Sequence, residues 1–168
     1  MTAQFVIEPL AKAHDRSSFR CGNDRIDRYF RDVASQDVKR DYATCFVARN
    51  MATNQLAGFY TLSASNVPLL DIPPDLARRL PRYPSVPAVL IGWLARHLDF
   101  AGAGVGELLL TDAIRTIVTA PIGAHAVFAD AIDEHAAAFY ASFGFTPLLE
   151  RPQTLYLPLA NVGHLFST

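Results

Sequence analysis

Residues 88–118 read Ala-Val-Leu-Ile-Gly-Trp-Leu-Ala-Arg-His-Leu-Asp-Phe-Ala-Gly-Ala-Gly-Val-Gly-Glu-Leu-Leu-Leu-Thr-Asp-Ala-Ile-Arg-Thr-Ile-Val, and they decide the fold. The first eight residues are almost all apolar, which is typical of a strand buried on both faces. A glycine-rich turn follows at residues 100–106, and apolar residues between 109 and 118 then recur at helical spacing. This order places unpaired backbone N–H groups at a helix N-terminus, where the helix dipole also favours negative charge. The stretch therefore predicts a phosphate-binding turn between a strand and a helix.

The rest of the chain alternates between strand and helix patterns. Asn23 is a candidate N-cap for a helix over residues 26–38, and Gly144 is a natural end for a helix over residues 133–143. Six of the eleven prolines lie in residues 68–87, which predicts a loop with a short helix at 75–80. The interleaving indicates an α/β protein with a mixed sheet, and we expect one domain over residues 1–168. The remaining strands are predicted at residues 5–8, 44–48, 56–63, 124–129 and 154–159.

Composition and charge exclude disordered proteins and locate the surface that a polyanion would meet. Hydrophobic residues make up 51% of the 168 residues and charged residues 18%, which is too apolar for a disordered chain. The net charge is −1, but residues 1–100 hold thirteen Lys and Arg against ten Asp and Glu, and residues 101–168 hold two against six. A polyanion should therefore bind the first part of the chain.

Membrane, secretory and metal-binding signals are missing from the sequence. No window approaches the ~20 apolar residues of a membrane span, and the N-terminus lacks the regions of a secretory signal. Cys21 and Cys45 form neither a disulfide framework nor a CxxC pair, and the five histidines are scattered. We expect a cytoplasmic protein without a metal or a membrane anchor.

The glycine turn alone fits several kinds of loop. A Walker loop would end in Gly-Lys-Ser/Thr, which residues 106–108 lack, and a dinucleotide fingerprint would need its third glycine at position 107, where Glu107 stands. A third alternative is a pyrophosphate loop of the pattern Gln/Arg-x-x-Gly-x-Gly/Ala. Residues 101–106 match both of its glycines but not its first position, which is Ala101. An ordinary turn between a strand and a helix is the fourth alternative.

The segments around the turn decide between these alternatives. Residues 130–145, Asp-Ala-Ile-Asp-Glu-His-Ala-Ala-Ala-Phe-Tyr-Ala-Ser-Phe-Gly-Phe, resemble the second signature of the Gcn5-related N-acetyltransferases (GNAT), a helix that ends Phe-Tyr-x-x-Phe-Gly-Phe. Residues 19–37, 58–63 and 80–84 with Pro87 are similar to patterns of a narrower branch, the acetyltransferase toxins of bacterial toxin–antitoxin pairs. The resemblance covers nearly the whole chain.

This resemblance implies a fold, an activity and partners. The GNAT fold is a mixed, mostly antiparallel sheet of about six to seven strands flanked by helices and splayed between the fourth and fifth strands to hold acetyl-CoA. The implied activity is transfer of acetyl from acetyl-CoA to the α-amino group of an aminoacyl-tRNA, which blocks translation. The implied partners are the aminoacyl-tRNA, a ribbon-helix-helix antitoxin and a second copy in a homodimer.

The chain departs from the family pattern around the turn. The family usually has Gly-Arg-Leu-Ala-Val-Asp and then a loop like Gln-Gly-Lys-Gly; here Trp93 replaces the Arg, Arg96 and His97 replace Val-Asp, and Ala101 and Ala103 replace the Gln and the Lys. Cofactor binding should therefore depend on backbone N–H groups, and those at the end of the strand can also bind the thioester oxygen. The predicted cofactor-binding residues are Leu94, Ala95, Arg96, Ala101, Gly102, Ala103, Gly104, Val105, Gly106 and Phe139.

Tyr140 is the predicted catalytic residue. In the family this tyrosine lies beside the cofactor channel, where a phenol can protonate the departing thiolate. The alternative is a core tyrosine, since Ala136, Tyr140 and Phe143 share one helical face. Trp93 is expected in the core or in the wall of the acyl pocket. Basic residues that would suit tRNA phosphates, or form an ordinary solvated surface, are Lys39, Arg40, Arg78, Arg79 and Arg82.

Two other functions stay open at the level of the sequence. The near-neutral charge and the missing basic loop residues fit an acetyltransferase of a small amine or of a protein N-terminus. Ala101 and Ala103 also fit a binding module that keeps the fold without the cofactor.

Overall fold

A computed structural model describes residues 4–163 of the chain, and within that range it contains seven strands and five α-helices. The strands are β1 (Phe5–Pro9), β2 (Thr44–Asn50), β3 (Leu56–Pro68), β4 (Ser85–Arg96), β5 (Ala126–Asp130), β6 (Thr146–Pro147) and β7 (Thr154–Pro158). The helices are α1 (Asp24–Arg28), α2 (Ala34–Lys39), α3 (Pro74–Ala77), α4 (Val105–Thr119) and α5 (Glu134–Ser142), and a π-helical segment, Tyr29–Val33, joins α1 to α2.

The strands form one mixed sheet in the order β1-β2-β3-β4-β5-β7-β6. The β4–β5 pair is parallel, whereas β2 pairs antiparallel with β1 and β3, and β7 with β5 and β6. The β4–β5 ladder joins residues 88–91 to residues 126–129, but β4 itself continues to Arg96. The predicted α/β class and the mixed, mostly antiparallel sheet that parts between its fourth and fifth strands are confirmed.

The described chain forms two compact units. The first comprises residues up to 63 together with residues 92–113, and the second comprises residues 64–91 together with residues from 114 on. In the second unit the proline-rich segment after β3 packs on an apolar cluster of β4, β5 and β7. The buried members of this cluster are Val67, Ile72, Val86, Ala88, Ala126, Phe128, Leu148 and Tyr156. The expectation of one domain over residues 1–168 stays a prediction.

In the first unit, α1 and α4 cover opposite faces of the sheet. Phe59 of β3 lies in a cluster with α1 and the π-helical segment. Its neighbours Gly58 and Tyr60 point to the other face, because successive side chains of a strand alternate. On that face the Tyr60 hydroxyl donates to Asp112 of α4 at 2.7 Å, and a Cβ atom at Gly58 would lie 2.7 Å from Leu109 of α4.

Three details differ from the expectation drawn from the sequence. The first helix is not continuous, because the Ala34 N–H donates to Tyr29 five residues earlier; the extra residue in that turn lets Tyr29 and Phe30 both be buried. The strands on either side of the proline-rich loop are longer than predicted, which confines the loop to residues 69–84. The expectation that β4 is buried on both faces is wrong near its end, where Trp93 and Leu94 are half-buried past the last residue paired with β5.

Most helix and strand ends follow the predicted signals. The Asn23 side chain accepts from the Ile26 N–H and caps α1. Gly144 follows α5 with φ +98°, the left-handed conformation that favours glycine. In the part of the chain that the structure describes, no helix is both long and apolar enough to cross a membrane.

Gly58→Ala should destabilise the fold. The new Cβ atom would lie 2.7 Å from the Ala95 carbonyl oxygen and 2.7 Å from Leu109, so β3, β4 and α4 would have to move apart. We expect a loss of about 1–3 kcal/mol in the free energy of unfolding, measured in urea. Gly123→Ala is the matched control, because nothing lies within 4 Å of its Cβ position. Equal stability of the two variants would contradict the packing described for α4.

Candidate active site

The turn before α4 presents a row of free backbone N–H groups. The first hydrogen bond of the helix runs from the Leu108 N–H to the Gly104 carbonyl at 3.0 Å. Among residues 4–163, no acceptor is bonded to the N–H groups of Gly104, Val105, Gly106 and Glu107. Such a row, reinforced by the dipole of a 15-residue helix, is suited to bind an anion.

Two of the alanines predicted in the cofactor loop use their N–H groups within the turn itself. The Ala101 N–H donates to Leu98 at 3.2 Å and the Ala103 N–H donates to Phe100 at 3.1 Å. Gly102 and Gly104 have φ values of +79° and +77°, which turn the chain so that these bonds form and the following N–H groups point outward. The loop therefore keeps its shape through glycine and backbone bonds rather than through side chains.

The end of β4 presents a second set of free backbone groups. The His97 N–H donates to the Ala57 carbonyl of β3 at 2.8 Å, and the Trp93 N–H donates to Thr61 Oγ1 of β3 at 3.2 Å. Because N–H groups alternate along a strand, those of Leu94 and Arg96 point to the other edge of β4. That edge is past the end of the β4–β5 ladder. Three residues at the end of β4 were predicted to bind the cofactor. Leu94 and Arg96 present their N–H groups at this unpaired edge, whereas the Ala95 N–H points towards β3.

Arg96 also carries an unsatisfied side chain. Its Nη1 is buried and has no hydrogen-bond partner among the described residues. The sequence pointed to Arg96 only through its backbone. A signal for the side chain was nevertheless present, since Arg96 is the only Lys or Arg between residues 83 and 114.

Trp93 contacts two side chains of the first helical region. The Tyr29 ring stacks on the indole with a centroid distance of 4.1 Å and an interplanar angle of 8°, and the Arg25 guanidinium carbon lies 5.3 Å from the indole centroid. The Tyr29 hydroxyl donates to Asp37 at 2.8 Å. The indole is thus stacked on an aromatic ring and close to a guanidinium, which agrees with the expectation that Trp93 is a wall or core residue.

Tyr140 and Phe139 lie near the end of α5 in the second unit. Tyr140 is 4% exposed, and its ring packs against the rings of Phe139 and Phe145 at centroid distances of 5.5 and 5.3 Å. Burial, together with the negative charge of Asp130, raises the pKa of Tyr140 well above its ordinary value. The phenol therefore keeps its proton at physiological pH. Within the described chain its hydroxyl makes no hydrogen bond, so this donor is available to a ligand.

The predicted basic residues are all exposed and fall in both units. Lys39 and Arg40 end α2 in the first unit, and the three arginines of the proline-rich segment lie in the second. Arg78 pairs with Asp75 at 3.0 Å. Arg79 and Arg82 form no ion pair with any residue that the structure describes, which leaves their guanidinium groups to solvent or to a polyanion.

The chain is similar to known toxins over nearly its whole length. The probable toxin TacT of Sinorhizobium fredii is 31% identical over 173 residues, which cover 97% of this chain and 96% of the relative. The tRNA-acetylating toxin of Mycobacterium tuberculosis is 33% identical over 138 residues, or 81% of each chain. The chain belongs to the toxin branch of the GNAT acetyltransferases. The predicted family is thereby confirmed, although no protein-family model matches the chain.

Solved structures of GNAT toxins share the fold. A tyrosine-to-phenylalanine variant of KacT superposes with a TM-score of 0.88 at 27% identity, over 97% of this chain and 99% of that chain. AtaT complexed with acetyl-methionyl-tRNAfMet gives a TM-score of 0.87 at 25% identity, with the same coverage. No group of three His, Cys, Asp or Glu residues that could hold a metal ion occurs among residues 4–163.

Gly104→Ala should weaken binding of acetyl-CoA, the cofactor that the resemblance implies. An L-residue at φ +77° costs about 1–2 kcal/mol, and relief of that strain would turn the N–H row of α4 away from its present direction. We expect the dissociation constant for acetyl-CoA, measured by calorimetry, to rise roughly 5- to 30-fold. Gly123→Ala serves as the control without a positive φ. Unchanged affinity in the Gly104 variant would argue against the α4 N-terminus as the anion site.

Proposed function

We propose that this chain is a toxin that transfers the acetyl group of acetyl-CoA to the α-amino group of an aminoacyl-tRNA and so blocks translation. The observation that carries the proposal is the row of free N–H groups at the start of α4, in a chain that belongs to the GNAT toxins. Structures of its relative AtaT contain acetyl-CoA in one case and acetyl-methionyl-tRNAfMet in another. The predicted activity and the predicted cofactor agree with these two ligands of AtaT.

The residues of the first unit fit the cofactor. The N–H groups of residues 104–107 would bind the diphosphate, as helix N-termini bind phosphate groups elsewhere. The free N–H and C=O groups of Leu94 and Arg96 would pair with the amides of the pantetheine arm, as an added strand pairs with a sheet edge. The N–H at the end of the same edge would stabilise negative charge on the thioester oxygen. Acetyl-CoA supplies the activated acyl group, and the chain supplies its orientation.

An α-amine is the acceptor that best suits this strand. A lysine amine with a pKa of about 10.4 costs roughly 4–5 kcal/mol to deprotonate at neutral pH, whereas an α-amine with a pKa near 8 costs less than about 2 kcal/mol. Residues 89–95 contain no carboxylate that could act as a base. The α-amine of an aminoacyl-tRNA loses its proton at a low free-energy cost, so its acetylation does not require a carboxylate base on the strand.

Tyr140 is the general acid in this proposal. As the acyl C–N bond forms and the C–S bond breaks, the phenol proton would pass to the departing thiolate. The proton lost by the amine would go to solvent, from which the phenolate would take up a proton again. The raised pKa keeps the phenol protonated before the reaction, and the unpaired hydroxyl leaves the proton free to be donated. Two of the structural relatives are tyrosine-to-phenylalanine variants, which draws attention to a tyrosine in those toxins. Phe139 would line the cofactor channel beside it.

The exposed basic residues would bind the tRNA. Lys39 and Arg40 belong to the part of the chain with excess positive charge, and Arg79 and Arg82 have no competing ion pair among the described residues. Relatives of this chain occur in complexes with antitoxins. We therefore also propose an antitoxin of the ribbon-helix-helix type as a partner, a homodimer as the assembly, and the cytoplasm, where tRNA is found, as the location.

Tyr140→Phe should abolish toxicity while leaving cofactor binding intact. Removal of one oxygen deletes the proton donor and conserves the packing against Phe139 and Phe145. We expect the rate of acetyl transfer to aminoacyl-tRNA to fall by about 10²- to 10⁴-fold, with acetyl-CoA affinity within about twofold of wild type. Transfer is followed with radiolabelled acetyl-CoA, and toxicity by growth arrest on induction. Tyr156→Phe is the matched control, since the Tyr156 hydroxyl is likewise unpaired but is buried. If the two variants behave alike, Tyr140 is a core residue.

Charge reversal at Arg79 and Arg82 should raise the KM for aminoacyl-tRNA. Each lost phosphate contact also reduces the slope of log KM against log salt by about 1. We expect Arg79→Glu and Arg82→Glu to weaken the tRNA interaction more than Arg78→Glu, because Arg78 is already paired with Asp75. The KM for acetyl-CoA should stay the same in all three. An unaltered salt slope in every variant would assign these arginines to the solvated surface, and transfer to small amines but not to aminoacyl-tRNA would overturn the acceptor.

A further inference from the structure

Arg96 carries a buried cationic nitrogen that the folded chain leaves unsatisfied. Nη1 has no hydrogen-bond partner among residues 4–163, and no nitrogen of its guanidinium forms an ion pair there. Arg96 as a whole is half-buried, but a buried donor of a charged group that is left without an acceptor still costs about 1–3 kcal/mol. The orphaned nitrogen indicates that a bound ligand completes its coordination.

The direction of the Arg96 side chain follows from its neighbours on β4. Trp93 and Ala95 lie in the cluster that contains α1 and the π-helical segment. Because side chains alternate along a strand, Leu94 and Arg96 point to the opposite face. That face is covered by α4, as the contacts of Gly58 and Tyr60 show. Arg96 therefore points to the side of the sheet on which the N–H row of α4 begins.

Apart from Arg96, the charged residues in the stretch of sequence around that row are negative. Between residues 83 and 114 the acidic residues are Asp99, Glu107 and Asp112, and Arg96 is the only Lys or Arg. The Glu107 carboxylate folds back over the turn, with Oε2 4.0 Å from the Cβ position of Gly104. A diphosphate carries two negative charges at neutral pH, whereas a helix N-terminus offers only about half a positive charge. A full cation would complement the anion, and Arg96 is the one Lys or Arg within this stretch of sequence.

We propose that the guanidinium of Arg96 binds the diphosphate of coenzyme A, in addition to the backbone role of this residue at the strand edge. The inference rests on the proposed function, in that it takes coenzyme A as the cofactor. A planar guanidinium can donate two parallel hydrogen bonds to phosphate oxygens, which a loop of alanine and glycine cannot do. In this chain the strand thus supplies the cation that its loop lacks at positions 101 and 103.

The test compares ligands that share the pantetheine arm and differ in their phosphates. Binding of CoA, dephospho-CoA and pantetheine to wild type and Arg96→Gln is measured by calorimetry. Dephospho-CoA keeps the diphosphate and lacks only the 3′-phosphate. We expect Arg96→Gln to weaken CoA and dephospho-CoA by about 10- to 100-fold, as befits a charge-assisted bond, and to leave pantetheine binding within about twofold. Arg31→Gln, an exposed change of the same charge, controls for net charge.

Two further variants separate a ligand-binding role from a structural one. Arg96→Met removes the buried unpaired charge, so the melting temperature of the free protein should rise by a few degrees while CoA affinity falls. Glu107→Gln removes the carboxylate beside the turn and should strengthen CoA binding by about 2- to 5-fold. A higher melting temperature together with a lower CoA affinity in Arg96→Met would indicate that Arg96 binds the ligand. A lower melting temperature would indicate that Arg96 stabilises the fold.

The following results would contradict the proposal that Arg96 binds the diphosphate. Equal CoA affinity in wild type and Arg96→Gln would exclude contact with any phosphate, and loss of CoA binding with retention of dephospho-CoA binding would move the contact to the 3′-phosphate. An equal loss for pantetheine would make the effect structural. The proposed function fails separately: Arg96-dependent binding of CoA without transfer to aminoacyl-tRNA would overturn the acceptor alone, and a wild type that binds no CoA would overturn both.

Discussion

The partial pairing of β4 is the constraint on which the rest of the site depends. β5 pairs with residues 88–91 only, yet β4 continues for five more residues to Arg96. The continuation is held on one edge by bonds from the Trp93 and His97 N–H groups to β3, and so its other edge stays regular without a partner strand. A regular edge with free N–H and C=O groups is what an extended chain of amides, such as a pantetheine arm, can add to. The binding groups are then backbone atoms, which only a substitution by proline removes.

That dependence on the backbone explains the sequence around the turn. Ala101 and Ala103 contribute turn hydrogen bonds that any residue other than proline can make, so the loss of larger polar side chains there leaves the loop in place. The two glycines are different, since Gly102 and Gly104 both have positive φ values. The packing behind the turn is equally restrictive: Gly58 leaves no room for a Cβ atom between the Ala95 carbonyl and α4. The shape of the site therefore depends on its glycines as much as on its side chains.

The sequence predicted the parts of this arrangement that depend on local signals. The Asn23 cap, the Gly144 stop, the turn before α4 and the class of the sheet follow from residues within a few positions of each other. The π-helical segment, the half-burial of Trp93 and the buried Nη1 atom of Arg96 do not, because each results from packing between segments distant in the sequence. The same limit applies to the cofactor loop. Six consecutive residues were predicted to bind, and only the hydrogen bonds of the folded turn reveal that the N–H groups of Ala101 and Ala103 are already used.

Three of the unpaired polar groups in the two units share one chemical property. The N–H groups of residues 104–107, the Arg96 Nη1 atom and the Tyr140 hydroxyl, with its raised pKa, are all hydrogen-bond donors at neutral pH. A metal cation would find no ligand among them. Acetyl-CoA complements such a set, because its phosphates accept hydrogen bonds throughout and its sulfur becomes an acceptor only as the C–S bond breaks. Donors that meet an acceptor in the ground state contribute to affinity, whereas a donor whose acceptor develops during the reaction lowers the barrier. If the proposed function holds, Arg96 and the start of α4 would bind the cofactor, and Tyr140 would stabilise the transition state.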